Sequence, residues 1–236
     1  MKGVILAGGR GTRLRPLTRV VNKHILPVYD KPMIYYPVQT LIDAGIDEIL
    51  VISNADHIGK YMELLELDFD ANFSYQVQSE PRGIAHGVAL AEEFVDGEPF
   101  AVMLGDNILL DDGFEAIQRF EETNDGAKIF LTRVDEPAAY GIAWIDGDEV
   151  ARIEEKPAHP DSDYAVVGLY LYRPDVFERI ERLNPSDRGE YEITDVNRQY
   201  VEEGSLGFAT IEGEWFDAGT PEGLFQAAQA VRDRTR

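Results

Sequence analysis

The sequence predicts an α/β sandwich, and three observations carry that expectation. Short apolar runs alternate with amphipathic stretches, the pattern of strands joined by crossover helices. A glycine-rich turn follows the first apolar run directly. With 236 residues and 44% apolar content, the chain can bury one full core.

Taken in order, buried strands are expected at 2–7, 48–53, 100–104 and 128–134, each a short run rich in branched or aromatic residues. Helices are expected over 32–44, 57–67, 84–94, 113–123, 175–183, 193–203 and 221–232. The first of them has proline at its start, where no amide is needed, and Gly45 placed to end it. Segment 142–155 is interrupted by Asp146-Gly147-Asp148, a turn signal between two β-prone arms. That predicts a hairpin, lying over the ligand edge of the sheet. No internal repeat, low-complexity tract or long Gly/Ser linker divides the chain, so one domain spanning 1–236 is expected.

Composition narrows the chemistry. The absence of cysteine excludes disulfides, zinc-thiolate sites and a thiol nucleophile, and it fits a reducing interior. No window reaches the length of a membrane span, and the N-terminus MKGVILAGGRG lacks the features of a cleavable signal, so a cytoplasmic protein is expected. The net charge of −22 disfavours nucleic acid or an anionic membrane as partner. Residues 1–42 run against that total: Lys2, Arg10, Arg13, Arg15, Arg19, Lys23 and Lys31 face the single acid Asp30, a local charge of +6. A basic island in an acidic protein reads as a site for a small phosphorylated ligand. The acid excess, with only six lysines, points to a halophilic host.

The turn Leu6-Ala7-Gly8-Gly9-Arg10-Gly11-Thr12-Arg13-Leu14 lets backbone amides approach phosphate oxygens closely. Its spacing is not the dinucleotide fingerprint, because Leu14 stands where a third glycine belongs, and no Gly-Lys-Ser/Thr closes it as a P-loop. Read alone, it could equally be a tight turn with solvated arginines; the charge island favours phosphate. Asp106 ends the apolar run 100–104, at the strand edge where open α/β sheets bind ligands. By itself it reads more readily as a turn or cap residue. The four histidines lack metal-ligand spacing, and no Gly-x-Ser-x-Gly elbow accompanies them.

Residues Gly8 to Leu14, continuing through Lys23-His24-Ile25-Leu26-Pro27-Val28-Tyr29-Asp30-Lys31-Pro32-Met33-Ile34-Tyr35-Tyr36-Pro37, resemble the signature of glucose-1-phosphate thymidylyltransferases. Later segments agree in order: Gly105-Asp106-Asn107, Glu154-Glu155-Lys156-Pro157, Val167-Gly168-Leu169-Tyr170, the run from Arg188 to Asn197, and Trp215-Phe216-Asp217-Ala218-Gly219-Thr220. The resemblance implies a Rossmann-like three-layer α/β/α sandwich with a mixed, mainly parallel sheet, the nucleotidyltransferase fold. A nucleotide-binding part at about 1–110 and a sugar-binding part at about 111–236 go with it. It implies that dTTP and glucose 1-phosphate give dTDP-glucose and pyrophosphate, with Mg²⁺ held by Asp106 and Asp217. A sugar-phosphate oxygen would attack the α-phosphorus directly, so positioning and charge neutralisation carry the catalysis.

The resemblance assigns Arg13 and Lys23 to the triphosphate and Lys156 to the phosphate of the sugar. For the nucleotide it implies Leu6, Gly8, Gly9, Gly11, Thr12, Arg13, His24, Gln78, Gly83 and Asp106; for the sugar phosphate, Tyr140, Gly141, Glu155, Lys156, Val167 and Gly168. Arg10, Arg15, Arg19 and Lys31 are read as solvated, Asp195 has no assigned role, and the polar residues of 188–197 could be structural or catalytic. Two departures stand out: Ser79 and His86 replace the commonest choices near Gln78, and His24 stands where glutamine is frequent. His24 keeps open a UTP-dependent enzyme making UDP-glucose. A non-catalytic regulatory protein is the rival from another class. The resemblance further implies a homo-oligomer, and a short form without the C-terminal extension used in assembly and end-product control.

Overall fold

In the computed structural model, which describes residues 1–110 and 114–235, nine strands form one sheet. Seven follow the order Glu149–Glu155, Gly141–Asp146, Tyr164–Tyr172, Phe100–Leu104, Lys2–Leu6, Glu48–Ser53, Asn72–Val77. Ala127–Arg133 branches from Tyr164–Tyr172 and carries Leu206–Thr210 beside it. Lys2–Leu6 is parallel to both its neighbours and Glu48–Ser53 is parallel to Asn72–Val77, whereas Tyr164–Tyr172 runs antiparallel to Phe100–Leu104. The mixed sheet is as expected, with the parallel half preceding the antiparallel half in sequence.

Alternation along the strands explains the three layers. Val4, Leu50, Ile52 and Val102 pack on one face with Val88, Phe177 and Val196 from the helices there. Ile5, Ile49, Val51, Ala101 and Met103 pack on the other with Leu41, Tyr61 and Leu65. Successive strand residues point to opposite faces, so one contiguous apolar run supplies two cores. A third, smaller core joins Val28, Met33, Ile108 and Leu110 to Ala218, Ala227 and Val231. It ties the Pro221–Thr235 helix to a two-stranded ribbon in which Asn107–Leu110 pairs with Glu214–Asp217.

The expected elements are present with shifts that have local causes. The first helix runs Tyr35–Asp43, because Lys31–Pro32 instead pairs with Pro27–Val28 as a short ladder. Gly45, at φ 87°, follows it, and the bond from Ile46 N to Leu41 O closes a Schellman end. The expected 84–94 helix is broken into Ile84–Ala89 and Glu92–Val95. That of 113–123 is Phe114–Gln118 followed by a 3₁₀ turn at Phe120–Glu122, and its first expected residue, Gly113, lies outside the described residues. The hairpin exists, but it extends the main sheet through Gly141–Asp146 instead of covering the ligand edge. Half-exposed Asn72–Val77 and the short partners Leu206–Thr210 and Glu214–Asp217 lack a clear buried run, which is why the sequence pattern left them unread as strands.

Candidate active site

The parallel strands end at one edge, and the site is built there. Ala7 N donates to Ile52 O and Gly105 N to Leu6 O, carrying the ladder into the turns that hold Gly8 and Asp106. Ligands of open α/β sheets bind at this carboxyl edge. Two contiguous clefts meet at Asp106. One, the side where the nucleotide is expected, is lined by Leu6, Gly8, Gly9, Gln78, Gly83 and Gly87; the other, the side where the sugar is expected, by Tyr140, Gly141, Gly168, Thr194 and Trp215. Arg13, Asp106, Glu155, Lys156, Arg188 and Glu190 border both.

Asp106 and Asp217 are far apart in sequence, and the small ribbon unites them. Asp217 lies opposite Asn107 in its ladder, and Ala218 N donates to Asp106 O at 2.9 Å. Gly219 makes the approach possible: a Cβ there would lie 2.5 Å from Asp106 Oδ2, 2.7 Å from Arg13 Nη2 and 2.9 Å from Asp217 Oδ1. Two carboxylates and a guanidinium thus converge on one small space. Each carboxylate has a cation: Lys23 Nζ donates to Asp106 Oδ2, and Arg13 Nη1 donates to Asp217 Oδ2 at 3.1 Å. The first pair is nearly enclosed, whereas the Arg13 side chain is 58% exposed. Burial disfavours the charged form of Asp106, but the charge of Lys23, its hydrogen bond and the charge of Arg13 outweigh it, holding the carboxyl well below its usual range.

Among the described residues no group of three or more His, Cys, Asp or Glu side chains could hold a metal ion. Two hard carboxylates with a cradle that any side chain at Gly219 would fill nevertheless suit magnesium, which takes one or two carboxylates and completes its shell with phosphate oxygens and water.

Of the glycine turn, Gly8 and Gly9 line the first cleft, Gly11 lines neither, and Thr12, expected at the nucleotide, lies on the other. Gly9 leaves room for Lys23, since a Cβ would sit 3.1 Å from its Nζ. Gly11, at φ 60°, accepts from Thr18 Oγ1 through its carbonyl, and Thr12 borders the sugar-side cleft. Gly83, at φ 102°, abuts Tyr191, whose carbonyl a Cβ would meet at 2.4 Å. Gln78 is buried at the far end of the nucleotide-side cleft. Of the basic island, Arg10, Arg15, Arg19 and Lys31 are exposed as expected. Lys2 departs from the island altogether, bonding Phe94 O and pairing with Glu98 near the opposite end of its strand.

His24 is 1% exposed. Its Nδ1 lies 2.9 Å from Asn22 Oδ1 and 3.1 Å from Tyr61 Oη, and its ring packs under Gly105. Burial and the Lys23 charge push its pKa down to about 3, so the ring is neutral. It is a strut beneath the cleft floor, presenting little surface for the nucleotide expected there.

On the sugar side, Tyr140 stacks edge-on against Trp215 at 5.4 Å, and Lys156 N donates to Tyr140 O. Lys156 has φ 45°, a left-handed conformation unusual for a long side chain, and strain of this kind concentrates at functional sites. Glu155 is already engaged on both of its oxygens. Thr194 Oγ1 donates to Glu155 Oε2 at 2.7 Å, while Lys156 Nζ and Arg188 Nη2 each lie 3.3 Å from Oε1. Val167 requires a correction: its side chain is fully buried in the core opposite, so only its backbone remains for a sugar. Gly168 does line the cleft, at a break in the Tyr164–Tyr172 ladder, and donates its N–H to Asn107 Oδ1 at 2.9 Å.

Asn107, Arg188, Thr194 and Trp215 are cleft residues to which no sequence argument gave a role. All four stand inside the matched segments, so the signal was present as order without a function. Asp195 pairs with Arg198 and lines neither cleft.

A glycine turn, paired cations and paired carboxylates at one sheet edge define a site for joining phosphorylated molecules. A family model described as nucleotidyl transferase matches residues 2–234, and the chain belongs to that family. It is 45% identical to the glucose-1-phosphate thymidylyltransferase of Actinoplanes sp. over 239 residues, covering 98% of this chain and 78% of that protein. It is 44% identical to the enzyme of that name from Neisseria meningitidis over 243 residues, covering 98% and 83%. A Bacillus anthracis crystal structure assigned as a glucose-1-phosphate thymidylyltransferase, solved with sucrose, superposes with a TM-score of 0.93 at 44% identity, covering 99% of this chain and 96% of that one. A UDP-glucose pyrophosphorylase complexed with UDP-glucose superposes at 0.86 with 25% identity, covering 99% and 98%.

Proposed function

We propose that this nucleotidyltransferase carries out the thymidylyltransferase reaction, converting dTTP and glucose 1-phosphate into dTDP-glucose and pyrophosphate. The convergence of Asp106, Asp217 and Arg13 on Gly219, beside Lys23, is the observation that carries the reading. In this scheme a phosphate oxygen of the sugar forms a bond to the α-phosphorus while the bond to the β-phosphate oxygen breaks. Pyrophosphate leaves with that electron pair, so no protein nucleophile is needed. Asp106 and Asp217 would hold Mg²⁺, which supplies charge neutralisation to the phosphates when bound. Arg13 and Lys23 hold the triphosphate and favour departure of pyrophosphate. Lys156 and Arg188 hold the attacking phosphate, and Glu155, fixed by Thr194, sets the direction in which both cations point.

The relatives named for dTTP chemistry are 42–45% identical to this chain, whereas the UDP-glucose pyrophosphorylase structure stands at 25%. His24, the reason to consider UTP, is bonded into the floor of the cleft. Retention of both carboxylates and their cations argues equally against a non-catalytic regulator.

The test is pyrophosphate release from glucose 1-phosphate and Mg²⁺ with dTTP or UTP, at high salt, with Asp106→Ala as control. Faster release with dTTP, abolished by the substitution, is expected; preference for UTP overturns the choice of base, and silence with both overturns the reaction. A halophilic, cytoplasmic setting completes the proposal, supported by the charge of −22 and the lack of cysteine; among the described residues no helix is long and apolar enough to cross a membrane. Retention of the fold in molar salt and its loss on dilution tests the habitat. A homo-oligomer belongs to the same proposal, and light scattering tests it.

A further inference from the structure

The end of the nucleotide-side cleft contains an arrangement that the reaction scheme does not use. Gln78 is 8% exposed, and its Nε2 lies 3.0 Å from Nδ1 of His86. Its Oε1 faces Gly8, where a Cβ would come within 2.6 Å of it, and accepts no hydrogen bond from the described residues. Gly87 leaves the other flank of the amide open, with a Cβ position 3.7 Å from Nε2. Leu6, Pro81 and Ile84 line the same cleft, apolar walls suited to a flat ring.

An amide reads a pyrimidine edge according to which of its atoms points where. A thymine or uracil offers an N3–H donor beside an O4 acceptor; a cytosine offers an N3 acceptor beside an amino donor. An amide with its oxygen toward N3 and one N–H toward O4 fits the first pattern, and the flipped amide fits the second. In the tautomer with its proton on Nε2, a neutral His86 accepts at Nδ1, and only the Nε2 end of Gln78, at 3.0 Å, can satisfy it. Desolvation and the charge of Arg82 push the His86 pKa down, against Glu80, which keeps the ring neutral. Tyr191 fixes the ring itself, stacked at 6.4 Å and 28°, and Arg82 lies over the same tyrosine at 5.1 Å.

We propose that His86 is a positioning residue for base selection, locking the Gln78 amide so that the cleft takes thymine or uracil and rejects cytosine. The proposal rests on the nucleotidyl-transfer reading of this cleft. It concerns N3 and O4 of the base and not the thymine methyl group, which is carried on C5.

The experiment compares wild type with His86→Lys, which offers only donors, and His86→Gln, whose side-chain oxygen can accept from Gln78. Turnover is measured with dTTP and dCTP, and binding of each nucleotide alone is followed by calorimetry. For His86→Lys, the KM for dTTP is expected to rise about tenfold, the scale of one lost hydrogen bond. The ratio of kcat/KM for dTTP over dCTP is expected to fall by at least as much, with kcat and the KM for glucose 1-phosphate within twofold of wild type. His86→Gln restores both quantities. Unchanged nucleotide preference in His86→Lys overturns the proposal, as does a uniform loss of kcat and of both KM values that His86→Gln fails to repair. Wild-type protein that binds dTTP no better than dCTP also overturns it. Wild-type protein that turns over nothing yet prefers dTTP in calorimetry, with the preference lost in His86→Lys, condemns the reaction scheme and leaves the inference standing.

Discussion

The two sides of the cleft achieve similar ends by different construction. The phosphate end of the nucleotide side comes from one stretch of chain: a parallel strand, a glycine turn and the 3₁₀ turn Lys23–Ile25 deliver Gly8, Arg13 and Lys23. The sugar side is gathered from Tyr140, Glu155, Gly168, Thr194 and Trp215, brought together by antiparallel pairing and the small ribbon. Both cations, Lys23 and Arg13, come from the nucleotide side, yet the Lys23–Asp106 pair is enclosed and the Arg13–Asp217 pair is open. The enclosed pair therefore carries electrostatics that solvent screens little, and the open pair carries geometry that a ligand can rearrange.

Breaking the enclosed pair is expected to have the largest effect. Asp106→Asn keeps the shape and removes the charge, and kcat is expected to fall at least about a thousandfold, the order of losing a principal electrostatic element. The same change leaves Lys23 enclosed without its partner, so a stability loss of about 3 kcal/mol in urea unfolding is expected. Asp217→Asn should match the kinetic loss with under about 1 kcal/mol in stability, since its partner is exposed. Equal stability losses in the two variants would contradict the contrast.

The sugar side should respond in its own substrate only. Lys156→Ala is expected to raise the KM for glucose 1-phosphate about thirtyfold or more, consistent with loss of a charged hydrogen bond to phosphate. Thr194→Val removes the bond at 2.7 Å that orients Glu155, and a smaller rise of about threefold to tenfold is expected. In both, the KM for dTTP should stay near the wild-type value. An equal rise for both substrates would show that the clefts act as one.

The same contrast governs what the sequence could reveal. The glycine turn and the charge island were legible because strand, turn and cations are contiguous in the chain, but it took the resemblance to single out Arg13 and Lys23 among those cations. Asp217 was legible only through ordered resemblance, since nothing in Glu214–Asp217 announces a strand or its pairing with Asn107–Leu110. Val167 and Gly168 show the finer limit. Adjacent strand residues face opposite ways, so one is sealed in the core and the other lines the cleft, and a motif cannot say which without the register. Glu155 was named as a site residue, but its role depended on Thr194 and Arg188, which reach it from a helix and a loop far along the chain.

His24 offers the smallest and sharpest test of the enclosed side, through stability alone in the presence of a chelator. Its pKa falls from 6.5 in the unfolded chain to about 3 in the fold, through burial and then the charge of Lys23. Between those values the unfolded chain takes up a proton that the native chain refuses, so stability falls as pH falls from about 6.5 toward 3. Asp106 runs on a different window. Its folded pKa is depressed, so its contribution is complete above the ordinary carboxylate range and is lost only as pH falls through its folded value. Between about pH 6.5 and 4.5 the histidine therefore acts without the aspartate. A His24→Gln variant, which can still donate to Asn22, has no proton to refuse, and its melting temperature should fall less steeply across that interval. The gap between the two curves should narrow or invert by on the order of 5 °C at the acid end. Parallel curves would mean that His24 titrates alike in both states, and that the floor of the nucleotide side is open to water rather than enclosed.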